Sequence, residues 1–85
     1  MIREELSEEY GDLLFMTEAE FDEAIIGVEE RAGVVAYDID KIIEILSRDM
    51  TEDEAVEYFE FNILGAYVGE KTPIYIKKAP SDGGL

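Results

Sequence analysis

Met50-Thr-Glu-Asp-Glu-Ala-Val-Glu-Tyr-Phe-Glu-Phe-Asn-Ile-Leu-Gly-Ala-Tyr-Val-Gly-Glu-Lys-Thr-Pro73 is the stretch on which the fold reading turns. Thr51 and Glu54 have the S/T-x-x-E spacing of a capping box, in which each side chain satisfies an orphan backbone donor at a helix start. Glu52 and Asp53 add negative charge to the first turn, where the positive end of the helix dipole favours it. Ala55, Phe59, Ile63 and Ala66 fall on one apolar line with Val56 beside it, and Asp53, Glu57 and Glu60 form an acidic face. Gly65 and Gly69 end the helix, residues 71–73 turn the chain, and Ile74-Tyr-Ile76 alternates like a strand, with Pro73 in a first-residue position.

Working back from this stretch, Ile39, Ile42, Ile43, Leu46 and Met50 make an apolar stripe. The stripe predicts a helix over 39–48 capped by Asp38, with a Glu44–Arg48 ion pair at i, i+4. Val34-Val-Ala-Tyr37 is a β-rich run that predicts a buried strand. Thr17 and Glu20 repeat the capping-box spacing, with Met16 and Phe21 at the staple positions. Phe21, Ala24, Ile25, Val28 and Ala32 recur at helical spacing, so a helix is expected from about residue 18 to 31 with Gly33 as its stop. Gly27 inside that helix costs about 1 kcal/mol relative to Ala, which suggests close packing of another element there.

Ile2, Leu6 and Tyr10 lie on one helical line, so residues 1–12 read as a short docked helix or a frayed terminus. Leu13-Leu-Phe-Met16 is a strand candidate or packing ahead of the next element. Residues 79–85 read as a flexible tail and 13–78 as a single domain. The order helix, strand, helix, helix, strand predicts an α+β fold, with a small two- or three-stranded antiparallel sheet packed by about three helices. Its strands are 34–37 and 74–77, with 13–16 as the optional third.

Composition limits the chemistry. The chain has 85 residues, 47% hydrophobic with nine aromatics, enough for a core in one domain. Cys and His are absent, so a disulfide framework, a nucleophilic triad and a zinc site all lack their groups. Ser7, Ser47 and Ser81 sit in charged or tail contexts. The pair Asp38 and Asp40 resembles the opening of an EF-hand loop, but Ile42 and Ile43 stand where a ligand and the glycine belong, so helix capping is the better reading. Gly65-Ala-Tyr-Val-Gly69 lacks the ending of a phosphate loop and reads as a turn. No enzyme, cofactor or metal is expected. The acidic start of the chain lacks a signal-peptide h-region, and no apolar run approaches the ~20 residues of a membrane span. A cytoplasmic protein is the expectation.

Net charge is -15. Residues 1–60 carry 20 acidic and 4 basic side chains, whereas residues 61–85 carry 2 and 3. This field opposes direct binding to nucleic acid or anionic membrane and selects a basic protein surface as partner. The candidate partner-binding residues are Asp53, Glu57, Glu60, Tyr58 and Phe61, with Asp22 and Glu23 as further acidic positions. Tyr58 and Phe61 read either as core or as an exposed aromatic patch. Asn62 reads as a buried side chain bonded to backbone or as a partner contact. Helical carboxylates three or four residues apart recur every ~5–6 Å, comparable to phosphate spacing, which permits mimicry of nucleic acid. Three alternatives stand beside it: an acidity that serves only solubility, a homodimer or other homo-oligomer built on Tyr58, Phe61 and Tyr67, and, more weakly, a ligand-binding or enzymatic module using carboxylates and a divalent ion.

The text from Glu54 to Pro73, together with Tyr37-Asp-Ile-Asp-Lys41 and Phe21-Asp-Glu-Ala24, resembles a family of small acidic proteins encoded by bacteriophages and prophages. The likeness covers residues 15–77. Relatives often have Cys where this chain has Ile42, in keeping with a buried apolar position. The resemblance carries no catalytic or binding residue with it. It implies a phage origin, a location in the host-cell cytoplasm, and an inhibitor of a host nucleic-acid-binding or defence protein, the anti-CRISPR type included.

Overall fold

The capping box at Thr51 forms: its hydroxyl accepts from the Glu54 N–H and the Glu54 carboxylate accepts from the Thr51 N–H. In the computed structural model, which describes residues 2–79, it opens helix α3, Glu52–Tyr58. That helix widens into a π-helical segment at Phe59–Leu64, which ends at Gly65. Helix α2, Ile39–Leu46, starts as predicted, with the Asp38 side chain accepting from the Asp40 N–H. Because α2 stops at Leu46, Arg48 lies in the following turn, and the ion pair expected with Glu44 is replaced by Lys41–Glu44 at 2.9 Å and Arg48–Glu23 at 3.2 Å.

The expected helix over 18–31 does not form. A 3-10 helix spans Ala19–Ala24 from Glu18, which makes no side-chain cap, and the chain then extends as strand β1, Ile25–Glu29. Here β-branched residues outweigh the helical spacing. Ile25, Ile26 and Val28 are stiff at χ1 and suit a pleated surface, and an apolar run lies within reach across a short turn. Strand β1 pairs antiparallel with β2, Val34–Asp38, with an irregularity between Ile25 and Gly27. Gly27 is therefore at a bulge, and a Cβ there would meet nothing within 4 Å, so the close packing expected of it is absent. The Glu29 carboxylate closes the turn by accepting from the Arg31 and Ala32 N–H groups, and Gly33 takes φ 69° to return the chain into β2.

Strand β3, Ile74–Ile76, pairs with β2 as expected, but in parallel, giving a mixed sheet of order β1-β2-β3. The parallel pairing follows from the helices between the two strands, since a crossover is the connection parallel neighbours require. The fold is α+β. As the central strand, β2 is buried from Val34 to Tyr37, which explains its unbroken apolar text. Phe21, Ala24, Val35, Tyr37, Ile42, Ile45, Phe59 and Ile63 form the core. Tyr75 stacks on Tyr37 at 6.0 Å and meets Phe59 edge-on at 5.6 Å.

Residues 13–16 are not a strand. Leu13, Phe15 and Met16 pack on the core, while the Met16 backbone is satisfied by side chains: its N–H donates to the Tyr37 hydroxyl, and its C=O accepts from Arg3. The N-terminus forms helix α1, Ile2–Glu9, with no buried residue of its own. It is held by Arg3, which bonds the buried Asp22 and lies over the Phe15 ring at 4.8 Å, and by Tyr10 donating to Glu30. The tail expected at 79–85 falls, from Pro80 onward, outside the described residues.

Candidate functional site

The candidate residues divide according to which element carries them. Asp53, Glu57, Glu60, Tyr58 and Phe61 all lie exposed along α3 and its π extension. Phe61 is 75% exposed. Of the two readings of Tyr58 and Phe61, the structure places both rings outside the core. Asn62 is exposed as well, so its reading as a buried, backbone-bonded side chain is corrected. The cause is geometric: the core line of this segment is Ala55, Phe59 and Ile63, and the residues between Phe59 and Ile63 turn outward together.

Asp22 and Glu23 do not join this surface as free acids. Asp22 is only 8% exposed, and its Oδ1 accepts two N–H groups of Arg3 at 3.0 and 2.7 Å. Glu23 is exposed but accepts from Arg48, and that bond holds its carboxyl below the usual range. Both acids tie elements together.

Basic side chains are placed by the same logic. Arg3, Lys41, Arg48, Lys71, Lys77 and Lys78 each sit within ion-pair distance of a carboxylate. The Asp38 and Asp40 carboxylates are held by Lys78 at 3.3 Å and Lys77 at 2.6 Å, and Asp40 raises the Lys77 pKa. From Asp49 to Glu70 the chain has no Lys or Arg. Glu52, Asp53, Glu57 and Glu60 accordingly make no ion pair among the described residues, and the ridge is acidic without internal compensation.

The ridge has two flanks. On one, Glu57, Tyr58, Phe61 and Asn62 join Asp49, Met50 and Glu54 around a shallow depression. On the other, Glu52, Val56, Phe59, Glu60 and Leu64 face Ile39, Asp40, Ile43 and Glu44 of α2 across an open groove of about 920 Å³. Asp53 lines neither. Tyr58 and Asn62 also border a smaller cleft of about 380 Å³, walled by Leu14, Phe15, Met16 and Tyr75. Sequence reading missed the groove and the cleft, because each exists only once separate elements pack against one another. Past the ridge, Tyr67 and Val68 are exposed on a loop held by the Thr72 hydroxyl, which accepts from the Val68 N–H and donates to the Gly69 C=O.

Among the described residues, no group of three or more acidic side chains converges as a metal ligand set, and no helix is long and apolar enough to cross a membrane. Neither a family model, nor a curated protein, nor a solved structure matches the chain.

Proposed function

We propose that this is a non-enzymatic acidic binding protein whose α3 ridge engages a basic surface on another protein. The observation that carries the reading is the coincidence on one element of uncompensated carboxylates, Glu52, Asp53, Glu57 and Glu60, with the exposed rings of Tyr58 and Phe61. Aromatic residues supply most interface energy when buried by a partner, and charges around them steer encounter and select its sign. A π-helical turn at the same place supports the reading, because such turns recur at functional sites. Carboxylates on successive turns, about 5.4 Å apart, present a Lys/Arg channel with a phosphate-like row. With the phage resemblance, this makes the protein an inhibitor of a host nucleic-acid-binding or defence protein, acting in the host-cell cytoplasm without touching nucleic acid itself.

A homo-oligomer built on Tyr58, Phe61, Leu64 and Tyr67 is the second reading, favoured by their exposure. A two-fold interface would set the acidic ridge of one copy against the same ridge of the other, which like-charge repulsion opposes. The test is capture of partners from host lysate by the tagged protein at low and high salt. The triple reversal Asp53→Lys, Glu57→Lys, Glu60→Lys is compared with Glu5→Lys, Glu8→Lys, Glu9→Lys, which makes the same change of charge on α1. Capture lost at high salt and in the ridge variant, and retained in the α1 variant, supports the reading. Equal loss in both variants, or salt-insensitive capture, refutes it.

A further inference from the structure

The groove between α2 and α3 combines exposed apolar residues with charged ones. Its floor is apolar: Ile39 and Ile43 come from α2, and Val56, Phe59 and Leu64 come from α3 and the π turn. Val56 is 39% exposed and Leu64 51%, so this floor is open to solvent although it continues directly into the core through Phe59. Its rim carries four carboxylates, Asp40 and Glu44 on α2 and Glu52 and Glu60 across from them, and two cations, Arg48 and Lys77. Glu52 and Glu60 have no cation partner among the described residues, whereas Lys77 and Lys41 occupy Asp40 and Glu44.

An apolar trough with a net acidic rim, whose cations Arg48 and Lys77 are already engaged by Glu23 and Asp40, is complementary to one kind of ligand. An amphipathic helix laid into it would bury its apolar stripe on the floor and place Lys or Arg, on either side of that stripe, against the walls. An acidic or neutral helix would strand Glu52 and Glu60 beside like or uncharged groups. The length also matches: α2 has eight residues and rises about 12 Å, enough to support two to three turns of a partner helix.

We propose that the α2–α3 groove receives a basic amphipathic helix of the protein partner, with Val56 and Leu64 as its apolar contacts and Glu52 and Glu60 as its charge contacts. The proposal rests on the reading of α3 as a partner-binding ridge, and it assigns the binding to one flank of that ridge. The groove flank would give register and specificity, and the Tyr58–Phe61 flank would lie against whatever surrounds the helix.

The test uses the full chain and a labelled synthetic peptide of about 14 residues with Leu at helical spacing and Lys elsewhere. Its control is a peptide of the same composition with the Leu positions scrambled. Anisotropy titration is expected to give micromolar binding of the amphipathic peptide and at least about tenfold weaker binding of the scrambled one. Val56→Lys and Leu64→Lys are each expected to weaken binding about tenfold or more, since each puts a cation on the floor. Both positions are exposed, and either variant suffices if circular dichroism shows the other unfolded. Glu8→Lys, exposed on α1 and outside the groove lining, should change affinity by less than about twofold.

Absence of amphipathic binding, equal binding of the scrambled peptide, or equal loss in Glu8→Lys overturns the proposal. So does a dimer that Val56→Lys dissociates, which would give the groove to a second copy, or binding that appears only after residues 80–85 are removed. If the groove variants leave lysate capture intact while the ridge reversal abolishes it, the groove assignment falls and the binding function stands.

Discussion

Docking of α1 rests in part on one buried charge, whose contribution a double-mutant cycle on Arg3 and Asp22 measures. Asp22 is 8% exposed, its Oδ1 takes both Arg3 donors, and its Oδ2 has no hydrogen-bond partner. Arg3→Met keeps an aliphatic stem but removes the guanidinium that lies over Phe15, strands the carboxylate and frees the Met16 C=O. Removing one member of a fully buried pair costs about 3–5 kcal/mol, and the partial exposure of Arg3 lowers the expectation to about 2–3 kcal/mol. For a domain of this size that is a fall in Tm of about 10–20 °C. Asp22→Asn in the wild-type background should cost about 1 kcal/mol, because it replaces a charge-assisted bond by a neutral one. In the Arg3→Met background the same substitution should instead raise stability, because it removes the stranded charge. Urea unfolding followed by circular dichroism measures all four species. The reasoning is refuted if Asp22→Asn destabilises both backgrounds equally, so that the coupling is below about 0.5 kcal/mol.

Two further predictions concern local structure. Thr51→Ala should lower stability by about 1 kcal/mol, the usual cost of losing an N-cap acceptor, read as a shift in urea midpoint with unchanged slope; no shift would mean the box does not hold the helix start. The second concerns acid. Glu23, Glu29 and Glu54 are held below the usual Glu range, by the Arg48 guanidinium, the Ala32 N–H and the Thr51 N–H respectively. A lowered folded pKa gives stability that is complete above the unfolded value, about 4.3, and is lost as pH falls through the folded values. Stability should therefore drop below about pH 4, and Glu29→Gln should make that drop shallower in thermal scans. An unchanged acid limb would remove Glu29 from the account.

How far the fold was legible depended on whether a segment's local signals agreed. Thr51 with Glu54, and Asp38 before an Ile-rich stripe, give cap and periodicity the same answer, and α2 and α3 begin where predicted. Residues 17–32 gave two answers. The spacing of Phe21, Ala24, Ile25 and Val28 matched a helix, and the β-branched content of 25–28 matched a strand. A partner strand decided between them, since pairing with Val34–Asp38 satisfies a backbone that a helix would have satisfied internally. The direction of β3 was deducible in principle, because helices separate it from β2 and a crossover implies parallel pairing. For the site, exposure of Phe61 depended on the core line settling on Ala55, Phe59 and Ile63, which periodicity gave together with Ala66, and Ala66 lies exposed past the helix end. The burial of Asp22 depended on Arg3, 19 residues away, which no local pattern could signal.

The placement of cations argues against solubility as a sufficient account of the acidity. A surface tuned only to stay soluble has no reason to set a row of one sign beside exposed rings; α1 is as acidic, with Glu4, Glu5, Glu8 and Glu9, but carries no ring, and such self-repulsion lowers stability. Here the bonds of Arg3 to Asp22, Arg48 to Glu23, Lys71 to Asp12, Lys77 to Asp40 and Lys78 to Asp38 each join separate parts of the fold. α3 receives none of them, and its carboxylates repel one another along a helix whose own core line is only Ala55, Phe59 and Ile63. An element destabilised in this way, and also displaying Tyr58, Phe61 and Leu64 to water, is relieved on both counts by a ligand that is basic and apolar together. On the proposed reading a partner would complete this helix, and the complementarity specifies that partner's chemistry before its identity.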